Sequence, residues 1–403
     1  MNKFESEVVE RFLKYISFDT KSDPNSDSCP SSKSQIKLAD FLADECKKIG
    51  LSNVIRDDNG YVYACLPSNN KNYKNKIGFM AHMDTSPDFN GKNVSPRIIK
   101  NYDGGNIVLN REKIMSLQEF NVLKNYVNQD LIVTDGTSLL GADDKAGIAE
   151  IMTAVNYLIK NNVEHGDIKI AFTPDEEIGR GVDKINLDNF DCDFAFTVDG
   201  GEIGELSYEN FNAAKAEIIL YGKNIHPGEA KNIMVNSILI ANEMINRFPK
   251  NETPATTEKK QGFYHVNYIS GSVEKAELEY IIRDFDKKNF EARKDFIKKL
   301  VADIKNEFGC EIDLKITDQY YNMRDKINDN LIEFTRKAFK KANVNPIEKS
   351  MRGGTDGAML SQKNIPCPNI FTGGHNFHGP YEFVCIKSMC KAVEIIINLA
   401  TQN

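Results

Sequence analysis

Lys145–Thr173 reads KAGIAEIMTAVNYLIKNNVEHGDIKIAFT, and the change of period inside it decides the fold. Lys145–Lys160 has the spacing of a helix, and after a polar turn Ile168–Thr173 is a short apolar run of strand length. Further runs of the same kind stand at Val54–Arg56, Tyr61–Leu66, Ile77–Met83 and Phe194–Val198. Strands alternating with a helix of this length predict an α/β fold with a mostly parallel central sheet. Two helical patterns between Glu5 and Gly50 are expected to flank it, the second at Ile36–Ile49 with Leu38, Phe41 and Leu42 on one side and Gly50 as its stop.

From Ser207 the pattern changes to strand (Ala213–Tyr221), helix (Asn232–Phe248), strand (Gly262–Ser270), strand (Leu278–Asp284), helix (Lys287–Phe308) and strand (Glu311–Thr317). This βαββαβ order is that of a ferredoxin-like domain. Helix Asp329–Ala342, strand Pro368–Thr372 and helix Ile386–Leu399 then resume the first style. The reading is a first domain in two parts, 1–206 and 321–403, interrupted by an inserted domain at 207–320. Lys21–Ser34, rich in Ser, Asp and Pro, reads as a mobile surface loop.

The chain of 403 residues is long enough for two cores. A formal net charge of −7 argues against nucleic acid or an anionic membrane as partner, because both need clustered Lys and Arg. The opening segment Met1–Ser17 mixes Lys3, Glu5, Glu7, Glu10 and Arg11 with apolar residues, unlike a signal peptide, and no apolar run is long enough to span a membrane. Eight scattered cysteines with no CxxC pair are the mark of reduced thiols, so a cytoplasmic protein is expected.

The chemistry gathers where strands end. His82 closes an apolar run in Phe79-Met80-Ala81-His82-Met83-Asp84, the edge at which open α/β sheets place ligands. Asp84, two residues on, points the same way and is placed to fix the ring tautomer. Asp143 and Asp144 sit at a helix start, where one acid serves as a cap and a second is left to bridge cations. Three carboxylates, Asp175, Glu176 and Glu177, follow the next run and repel one another unless cations neutralise them. Asp199 leaves another strand into Gly200-Gly201, and His375 and His378 follow the last one. Two histidines and three carboxylates make the ligand set of a two-metal hydrolase, a donor set that suits Zn, Mn or Co. No GxGxxG opens a βαβ unit, which removes the dinucleotide-binding reading.

The segments His82-Met83-Asp84, Thr134-Asp135-Gly136-Thr137, Gly141–Gly147, Pro174–Gly179 and Arg352–Gly357, with His226-Pro227-Gly228 and Ile281–Asp284, carry a specific likeness. Over nearly its whole length the chain resembles the M20 metallopeptidase family, and within it the tripeptide aminopeptidases. The resemblance implies a zinc-exopeptidase-like catalytic domain with a lid. It implies two divalent metal ions, zinc first, with Asp143 bridging, His82 and Asp199 completing one site and Glu177 and His378 the other. Asp84 would orient His82, and Glu176 would be the general base acting on a metal-bridging hydroxide. His226, Arg283 and Arg352 match substrate-contacting positions, and paired guanidinium groups suit the terminal carboxylate of a short peptide. His375 departs from the family pattern and reads as a supporting donor or a surface residue. The resemblance also admits a homodimer through the lid. The competing readings are another M20-type hydrolase (dipeptidase, carboxypeptidase or aminoacylase) and an inactive binding homologue.

Overall fold

The computed structural model describes residues 3–402. Met1, Asn2 and Asn403 lie outside the described residues, so the reading of Met1–Ser17 is followed from Lys3. There a helix at Glu5–Tyr15 buries Val8, Phe12 and Tyr15. The chain divides into two units: Met1–Tyr208 with Asp325–Lys349 and Thr355–Asn403, and Glu209–Arg324 with Ser350–Gly354. The short piece Ser350–Gly354, which carries Arg352, joins the inserted unit although it lies far from it in sequence.

The first unit is built on an eight-stranded sheet in the order Ser52–Arg56, Val62–Leu66, Asp167–Thr173, Lys76–His82, Phe194–Gly200, Asn369–Phe371, Glu205–Ser207, Ile347–Glu348. Its centre is parallel: Lys76–His82 pairs in parallel with Asp167–Thr173 and Phe194–Gly200, and the latter with Asn369–Phe371. Antiparallel pairs lie outside this centre: Ser52–Arg56 with Val62–Leu66, Val62–Leu66 with Asp167–Thr173, and Glu205–Ser207 with Asn369–Phe371. Strands covered on both faces must be apolar throughout, and Lys76–His82 is buried from its second residue to its last. Helix Ala142–Lys160 lies on this sheet and against helices Glu5–Tyr15 and Ile386–Ala400. Gly147 makes that seating possible, since a Cβ there would stand 1.9 Å from the Val198 carbonyl oxygen.

A smaller four-stranded sheet, Gly374–His375, Phe383–Cys385, Leu131–Val133 and Arg97–Ile99, is antiparallel and packs Tyr102, Leu123, Tyr126 and Phe383 into a second core. The Lys21–Ser34 segment differs from the loop expected of it. Ser22 and Ser31 are buried, and the Ser31 N–H and hydroxyl both bond Asp175. Its ends are therefore anchored, Ser22 on the Thr85 carbonyl and Ser31 on a buried carboxylate, while Asp23, Asn25, Asp27 and Ser28 between them are exposed.

The inserted unit is an antiparallel sheet in the order Phe263–Gly271, Lys275–Asp284, Asn212–Tyr221, Ile312–Tyr320, covered by helices Ser237–Arg247 and Lys287–Phe308. Strand alternation in Lys275–Asp284 sends Ala276, Leu278, Tyr280 and Ile282 into the core and leaves Arg283 on the other face. The first of these helices starts at Ser237 and not at Asn232, because the Asn236 side chain accepts the Ile238 N–H at 3.0 Å and caps it there.

Candidate metal centre

The five expected ligands converge at the carboxyl ends of the parallel strands. His82 closes Lys76–His82, Asp199 lies near the end of Phe194–Gly200, Glu177 is in a 3-10 turn after Asp167–Thr173, and Asp143 opens helix Ala142–Lys160. His378 comes from the loop between Gly374–His375 and Phe383–Cys385. They form two groups, His82–Asp143–Asp199 and Asp143–Glu177–His378, whose ligand atoms lie within 4.8 Å of one another and which share Asp143. Its Oδ1 is 2.8 Å from His82 Nε2, and its Oδ2 is 3.3 Å from His378 Nε2. Asp199 Oδ1 stands 3.6 Å from His82 Nε2, and Glu177 Oε2 stands 2.9 Å from His378 Nε2.

Backbone and neighbouring side chains aim these groups. His82 Nδ1 bonds the Asp84 carbonyl oxygen at 3.0 Å, which puts the proton on Nδ1 and leaves the Nε2 lone pair facing the carboxylates. The carboxylate of Asp84, 3.4 Å from the same nitrogen, has a further task. It accepts the N–H groups of Glu176 at 3.0 Å and Glu177 at 3.1 Å, so it shapes the turn as well as facing the ring. Behind that turn Asp175, with φ of 59°, is held by Ser31 and Gln35. His378 Nδ1 lies 3.4 Å from Asp88 Oδ2. Asp144 accepts the His82 N–H at 3.2 Å, and the Asn369 side chain accepts that of Asp199 at 3.1 Å.

The electrostatics describe a site short of positive charge. Burial, reinforced by the charge of Asp143, pushes the Glu177 carboxyl up to about 8, and burial lifts Asp199 to about 6. Burial would also raise Asp143, but bonds from His378 and His82 outweigh it and hold that group below the usual carboxylate range. Bonds to Asp143 and Glu177 lift His378 to about 11. Glu176 belongs to neither ligand group. Burial, with the charges of Asp199, Asp356 and Glu177 around it, holds its carboxyl well above the ordinary value. Glu177 Oε1 is buried with no hydrogen-bond partner. An orphaned carboxylate oxygen, two imidazole nitrogens and three carboxylates with no thiol fit a pair of divalent cations.

His375 points elsewhere. Its Nε2 bonds the Tyr126 hydroxyl, its ring stacks on Phe383, and burial with the charge of Lys349 pushes it down to about 4, so it is a neutral packing histidine. The other three expected residues belong to the inserted unit. There Arg283 Nη1 donates to Ile282 O at 2.9 Å, Gln319 Oε1 at 3.2 Å and Ala214 O at 3.3 Å, with its Cζ 5.4 Å from the centre of the Tyr320 ring. Arg352 Nη1 donates to Lys259 O at 2.8 Å and Gln261 O at 3.0 Å, and Nη2 to Thr257 Oγ1 at 2.8 Å. His226 Nδ1 accepts the Gly228 N–H at 3.1 Å.

The family model for "Peptidase family M20/M25/M40" matches residues 139–402. The chain belongs to the M20 peptidase family. Among the relatives of this M20 peptidase is "Peptidase T" of Caldanaerobacter subterraneus, 55% identical over 400 residues that cover 98% of each chain. Among solved structures, aminopeptidase PepT from Bacillus cereus superposes with a TM-score of 0.80 at 22% identity over 98% of both chains. The YXEP protein of Bacillus subtilis, described as a dinuclear metal binding peptidase from M20 family, superposes at 0.68 with 14% identity over 99% of this chain and 98% of that one. An M20 peptidase is a hydrolase, and the exopeptidase class agrees with the relatives' names.

Three further acids stand beside the centre: sequence reading placed Asp144 and Asp356 in motifs without giving either its role, and passed over Glu382. Asp356 accepts the Thr173 hydroxyl at 2.7 Å, and burial lifts it to about 7. Asp144 is noted above, and Glu382 underlies the loop that carries Asp143. The one signal for Glu382 is an acid set directly before the apolar run Phe383-Val384-Cys385, where a charged residue needs a buried partner.

Proposed function

We propose that the chain is a metallo-aminopeptidase that removes the N-terminal residue from short peptides, tripeptides foremost, with two divalent metal ions, zinc first, as its cofactor. The observation that carries this reading is the pair of ligand groups joined through Asp143. His82 and Asp199 would hold one ion, Glu177 and His378 the other, and Asp143 both. When bound, the pair would supply Lewis acidity to a peptide carbonyl and to a water molecule.

The chain's own groups do the rest. Glu176, fixed through the hold of Asp84 on its backbone N–H, takes the proton of the attacking water and returns it to the leaving amine. Burial and the surrounding carboxylates disfavour its charged form, and cations that offset those carboxylates would favour the ionised Glu176 that can accept a proton. In the inserted unit, acceptance of the Gly228 N–H at His226 Nδ1 leaves the ring proton on Nε2, the form able to donate to a developing oxyanion. We assign the peptide's terminal carboxylate to Arg283 and Arg352, and with it the length preference. The same unit exposes Tyr268 and Ile269 on its edge strand and Leu239 on a covering helix, which we assign to a homodimer face. Sedimentation velocity at two concentrations tests that face.

We assign the chain to the cytoplasm, in keeping with its eight free cysteines. Among the described residues no helix is long and apolar enough to cross a membrane. The test of function is product analysis on trialanine, its N-acetyl form, dialanine and tetraalanine. Release of free alanine from the N-terminus of the tripeptide, with the acetylated form untouched, is expected. Faster cleavage of the acetylated form moves the assignment to an aminoacylase.

A further inference from the structure

The loop that presents Asp143 offers four successive backbone N–H groups, and one carboxylate takes them all. Glu382 Oε2 accepts from Leu140 at 2.7 Å and Gly141 at 2.9 Å; Oε1 accepts from Ala142 at 2.6 Å and Asp143 at 3.1 Å. Gly141, at φ of 82°, gives the backbone the left-handed turn that brings these donors to one point, the concave arrangement in which chains bind anions. Glu382 is 1% exposed, and among the described residues it makes no ion pair. It directly precedes a rigid base, because Phe383–Cys385 is paired on both sides, with Gly374–His375 and Leu131–Val133.

Burying a carboxylate without an ion pair is costly, and a neutral Ser or Asn suffices to cap a loop of this kind. A charge at this place has a use that a neutral cap lacks. Four N–H dipoles at the head of helix Ala142–Lys160 turn their positive ends toward the neighbourhood of Asp143, where they oppose a cation. A carboxylate on those same N–H groups cancels that field and fixes the backbone from which Asp143 reaches out.

We propose that Glu382 is a positioning residue of the metal centre: it locks the Leu140–Asp143 loop and offsets its positive field, so that Asp143 holds the shared place between two cations. This rests on the metal reading above and adds to it a residue that touches neither metal nor substrate. The test is zinc binding by chelator competition on the full chain as wild type, Glu382→Gln and Glu382→Asp, with thermal unfolding of each metal-free protein alongside. Glu382→Gln removes the charge at constant shape and is expected to weaken zinc binding by about 10- to 100-fold, the usual range for residues that orient ligands. Glu382→Asp keeps the charge on a shorter stem and is expected to fall between. A residue that only supports the fold would lower the unfolding temperature of the metal-free protein and leave zinc affinity unchanged. Zinc affinity of Glu382→Gln within twofold of wild type overturns the proposal. If neither variant folds, hydrogen exchange on metal-free wild type decides: protected Leu140–Asp143 amides support the clamp, and freely exchanging ones overturn it. Wild type that takes up fewer than two ions contradicts the metal reading itself, a separate outcome seen before any variant is made.

Discussion

In the first unit the expected ligand side chains stand at strand ends, a helix start and a loop, with their reactive atoms turned toward one another and their backbones bonded from behind. In the inserted unit the expected substrate residues have polar atoms engaged locally: Arg352 on the Thr257–Gln261 loop, Arg283 on Ile282, Gln319 and Ala214, His226 on Gly228. The contrast separates two kinds of functional residue. A metal ligand set is complete within the fold and shows itself by crowding like charges. A substrate-binding arginine has to be held by the fold and still offer donors, so its resting contacts resemble those of any structural arginine.

The largest expected effect sharpens the first half of that contrast. Glu176→Gln removes a proton acceptor but none of the five ligands, so kcat is expected to fall by about 10²–10⁴ with both ions retained. Loss of metal in this variant, by elemental analysis, would make Glu176 a ligand instead.

Next come the arginines. For Arg283→Ala the KM for free tripeptides is expected to rise by about one to two orders of magnitude, the worth of a charge-assisted bond of roughly 1.5–3 kcal/mol, with tripeptide amides unaffected. Arg352→Ala is expected to add a lower unfolding temperature, since its guanidinium ties the 257–261 loop and lies 5.1 Å from the Phe211 ring centre. Equal losses on acids and amides in both variants would remove the carboxylate assignment.

Packing gives a smaller effect. Gly147→Ala puts a methyl against the Val198 carbonyl and is expected to cost roughly 1–3 kcal/mol, read by denaturant unfolding, with weaker metal binding as helix Ala142–Lys160 lifts from the strand that carries Asp199. Unchanged stability would mean that this helix seats less tightly than its geometry indicates.

The smallest effect concerns Glu150, fully buried with neither carboxyl oxygen bonded. Burial raises its pKa well above the ordinary value, so the fold favours the protonated form. Its contribution to stability is then fully present below the unfolded-state value and declines as pH rises toward the folded one. Glu150→Gln mimics the protonated form, so its unfolding temperature should match wild type near pH 4 and exceed it by a few degrees at pH 8. A difference independent of pH would show that Glu150 is charged in the fold or partnered.

The clustering of acids and histidines was legible because His82, the Asp175–Glu177 run and Asp199 each follow an apolar run and Asp143 opens a helix, while the family resemblance, and not spacing, singled out the five expected ligands. The βαββαβ order was legible from period alone. Glu382, the bond of Asp356 to Thr173 and the inward-facing Ser22 and Ser31 were not, because they act through hydrogen bonds across long stretches of chain and leave no local period. One edge of the large sheet was missed for a related reason: Glu205–Ser207 and Ile347–Glu348 are too short to carry a pattern. The place of Ser350–Gly354 in the inserted unit is likewise a fact of tertiary contact.

One measurement reaches the centre of the matter: zinc bound per chain in wild type, His82→Ala and Asp143→Ala, by elemental analysis after equilibrium dialysis. Two ions in wild type, one retained when His82 is lost and none when Asp143 is lost are expected if Asp143 serves both sites. Two tightly bound ions in Asp143→Ala would contradict a shared carboxylate, and with it the proposed two-metal centre.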